Sequence, residues 1–327
     1  MKLRTLAFGS LLLLLATSLF AAENYPVKVE RGVSVKMRDG VVLRGDIFRP
    51  DTEGKFPVLL QRTPYRRAVT WGYDVDFAQR AASHGYVVFL QDVRGRYTSD
   101  GEWYPFLHES EDGYDTIEWI AAQPYSDGRV GMFGGSYVGA TQLLAAIAHP
   151  PHLAGICPIV TASDYHNGWT YQGGAFEQWF NESWTSGLAQ DTLTRQIERT
   201  PSPPEEVNVL PLTAYPIFNP NPANGINGSA STIAPYFLDW LAHPSYDDYW
   251  RRWSIEEHYA DIRVPALHVA AWYDIFLGGS LRNYIGLKAR AASAENRNGQ
   301  HLLSPWGARG RRTQDRGSRF RSGSRKV

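Results

Sequence analysis

Short apolar runs separated by amphipathic stretches dominate the first half of the chain. Val33 to Met37 and Val41 to Ile47 alternate apolar and polar residues on either side of Asp39-Gly40, which predicts a β-hairpin closed by a tight turn. Pro57 to Gln61 reads as a buried strand, Phe77 to Ser83 as a helix stopped by Gly85, and Tyr86 to Leu90 as a second buried strand. Asp112 to Ala122 carries apolar residues at helical spacing, Val130 to Phe133 is again a strand, and Ala140 to Ala148 is an apolar helix. Strands this short and this continuously apolar, separated by helices, predict a mostly parallel sheet covered on both faces.

From Asp164 to Ala260 the rhythm disappears. That stretch is rich in Trp, Tyr and Phe, lacks clear strands and holds a Pro/Asn/Gly-rich segment near Asn219 to Gly228. It reads as a helical insertion, a cap over the sheet. Strand and helix return at Val264 to Ala271 and Gly279 to Ala289. The domain plan is therefore a first sheet-forming part over 23–163, a cap over 164–260 and a second sheet-forming part over 261–308. The remainder, 309–327, has eight basic residues and one acidic one among Gly and Ser, a composition that does not build a core.

Lys2 and Arg4 precede the apolar run Leu11 to Leu15, with small residues near Ala16–Ser18 and Ala21–Ala22. This predicts a secretory signal peptide over 1–22, and hence a periplasmic or secreted protein. The run is short for a bilayer span, with an uncleaved anchor as the competing reading. Phe20 suits cleavage after Ala22 poorly, so the cut site stays open.

Composition narrows the chemistry. The 33 basic and 33 acidic residues cancel, giving no reason to expect nucleic acid or a stable membrane surface as partner. A single cysteine, Cys157, cannot form a disulfide within the chain, and its apolar setting Gly155 to Val160 reads as a buried structural thiol. The nine histidines are scattered, so no metal-ligand cluster stands out.

The strongest chemical signal is Gly134-Gly135-Ser136-Tyr137-Val138-Gly139, between the Val130 strand and the Ala140 helix. A serine among small residues at a strand-to-helix turn fits a nucleophile elbow, with the helix N-terminus facing the developing oxyanion. Val138 stands where glycine is commonest, and a glycine-rich turn with an incidental serine is the competing reading.

That segment resembles the elbow of the bacterial hydrolase family containing cocaine esterase, α-amino acid ester hydrolases, glutaryl-7-aminocephalosporanic acid acylases and X-Pro dipeptidyl-peptidases. The likeness extends through Arg62-Thr63-Pro64-Tyr65, Gln91 to Tyr97, Asp112-Gly113-Tyr114-Asp115, Trp119 with Gln123-Pro124, and Trp272-Tyr273-Asp274. It implies an α/β-hydrolase fold with an inserted helical cap, acting on a small ester or amide or a short peptide, with no cofactor. It further implies Ser136 as nucleophile, Asp274 as the acid of the triad, and the Tyr65 hydroxyl and Tyr137 backbone N–H as the oxyanion hole. A packing role for Tyr65 and an ordinary loop position for Asp274 compete with these assignments. Asp92 and Arg94 are expected to form a structural ion pair beneath the site.

One block departs from the family. Where a Gly-Pro-Trp-x-His segment supplies the base, this chain reads Ser304-Pro305-Trp306-Gly307-Ala308, with Ala308 at the histidine position. His301 alone follows Asp274 and is the substitute base to consider. Codons can be chosen so that reading from the second base of the Ala308 codon gives His-Gly-Ala-Asp-Ala-His-Lys-Ile-Gly-Glu-Val-Asp-Phe-Gly-Pro-Glu-Ala-Ala, a family-like continuation. The expectation is one inserted base after the Gly307 codon, a basic tail read out of frame, and a missing family C-terminal jelly-roll domain. Activity of the chain as written would then be impaired or lost. A prolyl-oligopeptidase-like peptidase, a non-catalytic ligand-binding remnant and a basic-tail interaction protein are the alternatives.

Overall fold

The computed structural model describes residues 24–67, 74–199 and 234–304. The signal peptide expected over 1–22, the Asn219 to Gly228 segment, Ala308 and the basic tail lie outside them.

The Asp39-Gly40 turn joins β1 (Val27–Lys36) to β2 (Val42–Pro50) as an antiparallel pair. There follow β3 (Phe56–Thr63), α1 (Asp74–Ser83), β4 (Val87–Asp92), α2 (Glu109–Ala121), β5 (Ser126–Gly135), α3 (Tyr137–Ile147) and β6 (Leu153–Ile159). After the cap stretch come β9 (Ala266–Val269) and β10 (Gln300–Leu303), joined through a helix at Leu277–Arg290. Among the described residues these strands form one sheet in the order β1-β2-β4-β3-β5-β6-β9-β10. From β4 to β10 every neighbouring pair is parallel. Every residue of β4 is buried, as a central strand with both faces covered requires. β9 is shorter than the apolar run suggests. Pro265 precedes it without an N–H to give, although its carbonyl still accepts from Ile156 at 3.1 Å.

α1 covers one face over Phe48, Val88 and Leu90, while α2 and α3 pack on the other over Val58, Leu60 and Met132. Buried charge ties the layers together. Arg62, with no exposed surface, donates from Nε to Gln91 at 2.9 Å and from NH1 to the Glu109 carboxylate at 2.8 Å. The expected Asp92–Arg94 pair does not form. Asp92 ends β4 and turns to Arg67, which also meets Asp46, whereas Arg94 lies past the strand end and clasps Asp112 and Asp39. Two residues apart across a turn, the side chains leave in different directions.

The cap stretch also differs in one detail from the expectation of no strands. β7 (Tyr171–Gln172) and β8 (Ala175–Phe176) form a small hairpin around Gly173-Gly174, whose φ angles of +58° and +87° suit a two-residue turn. The described helices of this stretch are α4 (Gln178–Arg199) and α5 (Pro235–Ala242), with a short turn at Asp248–Arg251 and a 3-10 segment at Ile255–Asp261. Trp169, Trp240, Trp250 and Tyr236 are buried between them and the sheet, so much of the aromatic load is core.

Candidate active site

Ser136 occupies the turn between β5 and α3 with φ +60° and ψ −128°, a left-handed conformation that a serine adopts only under constraint. Its N–H donates to the Ile159 carbonyl at 2.9 Å, and its own carbonyl accepts from Gly139 and Ala140, which starts the helix. No acid stands in the first turn of α3, so the positive end of the helix is left for a negative charge near Ser136. Val138 is tolerated because Gly134, at φ +132°, has no side chain to oppose it. Gly139 is required in turn, since a Cβ there would lie 2.7 Å from Thr161.

The Arg62-Thr63-Pro64-Tyr65 segment leaves the neighbouring strand β3 at the same edge. Arg62 anchors it below, Thr63 Oγ1 accepts the Tyr65 N–H at 3.1 Å, and the Pro64 carbonyl accepts from Arg96 Nε at 3.0 Å. Burial raises the Tyr65 phenol above its ordinary pKa. Trp184, the Ser136 hydroxyl, the Arg96 charge and the Tyr137 backbone N–H pull it back. The phenol oxygen thus lies near enough to Ser136 and the Tyr137 N–H to be influenced by both, and it accepts from the Trp184 indole N–H at 3.0 Å. The Tyr137 side chain points beneath the turn, where its hydroxyl donates to Glu109 at 2.9 Å and accepts the Phe106 N–H at 2.7 Å. This buried anchorage fixes the peptide that carries the Tyr137 N–H. Burial raises the Glu109 carboxyl despite the opposing Arg62 charge.

Asp274 lies in the loop after β9. Its N–H donates to the Ala271 carbonyl at 3.1 Å, and one carboxylate oxygen accepts from Phe276 N at 2.8 Å. Burial raises its pKa and that single N–H lowers it. Among the described residues no histidine hydrogen-bonds it. Its loop meets the site edge through a row of hydrogen bonds: Ser136 N to Ile159 O, Val160 N to Val269 O at 2.8 Å, and Ala270 N to Leu303 O at 2.9 Å. The C-terminal ends of β5, β6, β9 and β10 therefore share one rim, where parallel α/β sheets assemble their sites.

His301 is not brought to Ser136. It pairs with Leu267 inside β10, three strands from β5, or about 14 Å at ordinary strand spacing, and its side chain is exposed. Cys157 is half-buried on β6, with its thiol pKa raised by burial. An aromatic wall faces the rim: Trp184 lies edge-on to Trp169 at 5.5 Å, and Trp169 stacks on Phe276 at 4.8 Å. A cavity of about 330 Å³ adjoins that stack, lined by Trp169 and Phe276 together with Phe180, Ile275, Glu177 and Arg282.

Sequence reasoning missed Glu109 and Trp184 and gave Arg96, within the Gln91 to Tyr97 segment, no role of its own. Each is tied to the site by a partner remote in sequence, and no local spacing announces that link.

The sequence model of the X-Pro dipeptidyl-peptidase (S15) family matches residues 39–307. Cocaine esterase of Rhodococcus sp. (strain MB1 Bresler) is 33% identical over 298 residues, 86% of this chain and 49% of that relative. Among solved structures, a CocE/NonD family hydrolase from Staphylococcus aureus superposes with a TM-score of 0.61 at 26% identity, covering 81% of this chain and 44% of the other. An α-amino acid ester hydrolase shares the fold, with a TM-score of 0.59 at 22% identity over 87% of this chain and 48% of the other. The chain spans about half the length of these relatives. With a matching family model over most of its length, the chain belongs to the X-Pro dipeptidyl-peptidase (S15) family.

Proposed function

We propose that the chain carries the catalytic half of a serine hydrolase for esters or amides of small apolar or aromatic acids. The observation that carries this reading is the strained Ser136 at the end of β5, with the Tyr65 segment leaving the neighbouring strand β3 at the same edge. Ser136 Oγ attacks the substrate carbonyl carbon and gives its proton to a base. The carbonyl oxygen becomes an oxyanion facing Tyr65 and Tyr137, and collapse expels the alcohol or amine, which takes up that proton. Water then releases the acid from the acyl-serine by the same route. Asp274 is the group that would orient the base. Trp169, Trp184 and Phe276 supply an apolar wall suited to an aromatic acyl group.

The base is expected at position 308, where this chain has alanine. Loss of one triad member leaves roughly 10³–10⁴-fold catalysis over water from binding and the oxyanion hole. Ala308 also favours a second reading, a remnant that binds such esters without turning them over. Hydrolysis of p-nitrophenyl acetate and benzoate by the chain, by Ser136→Ala and by Ala308→His separates the two. Activity that Ser136→Ala leaves untouched in both backgrounds defeats the hydrolase reading, and saturable binding without turnover supports the remnant. Export through the 1–22 segment is part of the same proposal. N-terminal sequencing of the protein recovered outside the cytoplasm tests it.

A further inference from the structure

We propose that Trp184 of the cap helix α4 is a positioning residue for the oxyanion donor, its indole N–H fixing the Tyr65 hydroxyl so that the phenol proton faces Ser136. This rests on the oxyanion role given to Tyr65 above. The Trp184 Nε1–H donates to the Tyr65 oxygen at 3.0 Å. A phenol has two lone pairs and one proton. The Trp184 N–H takes up one of those lone pairs, which restricts the directions left to the phenol proton, and Ser136 is a neighbour of that oxygen.

Trp184 has little freedom to point elsewhere. It stacks on Tyr137 at 6.0 Å and on Trp240 at 6.0 Å, and meets Trp169 edge-on at 5.5 Å. A second tie binds the same two segments. Arg96, with no exposed surface, donates from Nε to the Pro64 carbonyl at 3.0 Å and from NH1 to the Leu188 carbonyl at 2.8 Å. Leu188 lies one helical turn beyond Trp184, so α4 grips the Tyr65 segment through both its main chain and its hydroxyl. The oxyanion hole is then complete only with α4 seated on the sheet. A tryptophan needed for packing alone would be served as well by a ring without an N–H.

The test compares Trp184→Phe with a benzothienylalanine at 184, an isostere that keeps the indole shape and loses the N–H. One readout is the rate constant for acylation of Ser136 by p-nitrophenyl acetate, followed by mass spectrometry at mildly alkaline pH, where hydroxide can take the serine proton. The other is the titration of a fluorinated tyrosine placed at 65. Both variants are expected to slow acylation roughly tenfold, a fraction of what losing an oxyanion donor costs, and to raise the phenol pKa. Acylation unchanged in the isostere, or a titration unchanged in both, reduces Trp184 to packing and overturns the proposal. If instead Tyr65→Phe acylates like the parent, the oxyanion reading itself falls and takes the proposal with it.

Discussion

Val138 fills the space that a side chain at Gly134 would need: a Cβ there would sit 2.3 Å from Val138 Cγ1. In nucleophile elbows the residues two before and two after the serine face each other across the turn, and here one of them is large because the other is absent. The valine that looks irregular in the sequence is thus compensated within the same hexapeptide.

Gly134→Ala should therefore cost about 1–3 kcal/mol as an overpacked, left-handed position, and Val138→Ala in the same chain should recover part of it. Urea denaturation of the single and double variants measures this. A Gly134→Ala midpoint equal to the parent's would refute the steric account.

Glu109 is almost fully buried, with Arg62 at 2.8 Å and the Tyr137 hydroxyl at 2.9 Å. Glu109→Ala leaves a buried guanidinium whose other acid, Asp112, is 3.9 Å away. The expected loss is about 3–5 kcal/mol, with Glu109→Gln less damaging because its amide oxygen can still accept from Tyr137. Chemical denaturation should rank the parent above Gln and Gln above Ala.

Asp74 gives a pH dependence. Burial lifts its carboxyl to about 6, with the Gln61 side chain opposing the shift. Asp74 Oδ2 is buried without a hydrogen-bond partner, so its charged form is poorly solvated there. Since the folded pKa is raised, the folded state holds this proton more tightly than the unfolded chain. Its contribution is present in acid and is lost as pH rises from about 4 through about 6. Denaturation midpoints between those limits should fall more steeply for the parent than for Asp74→Asn.

His301→Ala should leave ester hydrolysis within about twofold of the parent, because β10 holds that residue three strands from Ser136. Ala308→His should raise it. A parent that loses its activity with His301 would mean that β10 shifts far from its place in the sheet.

The alternation around Asp39-Gly40, the apolar β4 run and the Ser136 turn were legible in the sequence because each depends on neighbours along the chain. The Arg94–Asp112 clasp was not, since it joins a loop to a helix across the folded sheet layer, and neither were Trp184 on Tyr65 and Arg96 between Pro64 and Leu188, whose proximity exists only after the cap is seated. Arginine is rarely found fully buried, so nothing local marked Arg62 and Arg96 as interior. The Gly173-Gly174 hairpin was a readable signal, hidden by the aromatic residues around it.

The shared rim also sets the length of a tether. Leu303 ends β10 level with Gly135, three strands away through Val269 and Ile159. That span is about 14 Å. Five residues of extended chain reach at most about 16–18 Å, so a side chain five residues past Leu303 has the reach to span the ends of β9 and β6. The Asp274 loop rises at the end of β9, between Leu303 and Ser136 along the rim. A histidine reaching in from the β10 side would thus find its orienting acid on the near side of its serine.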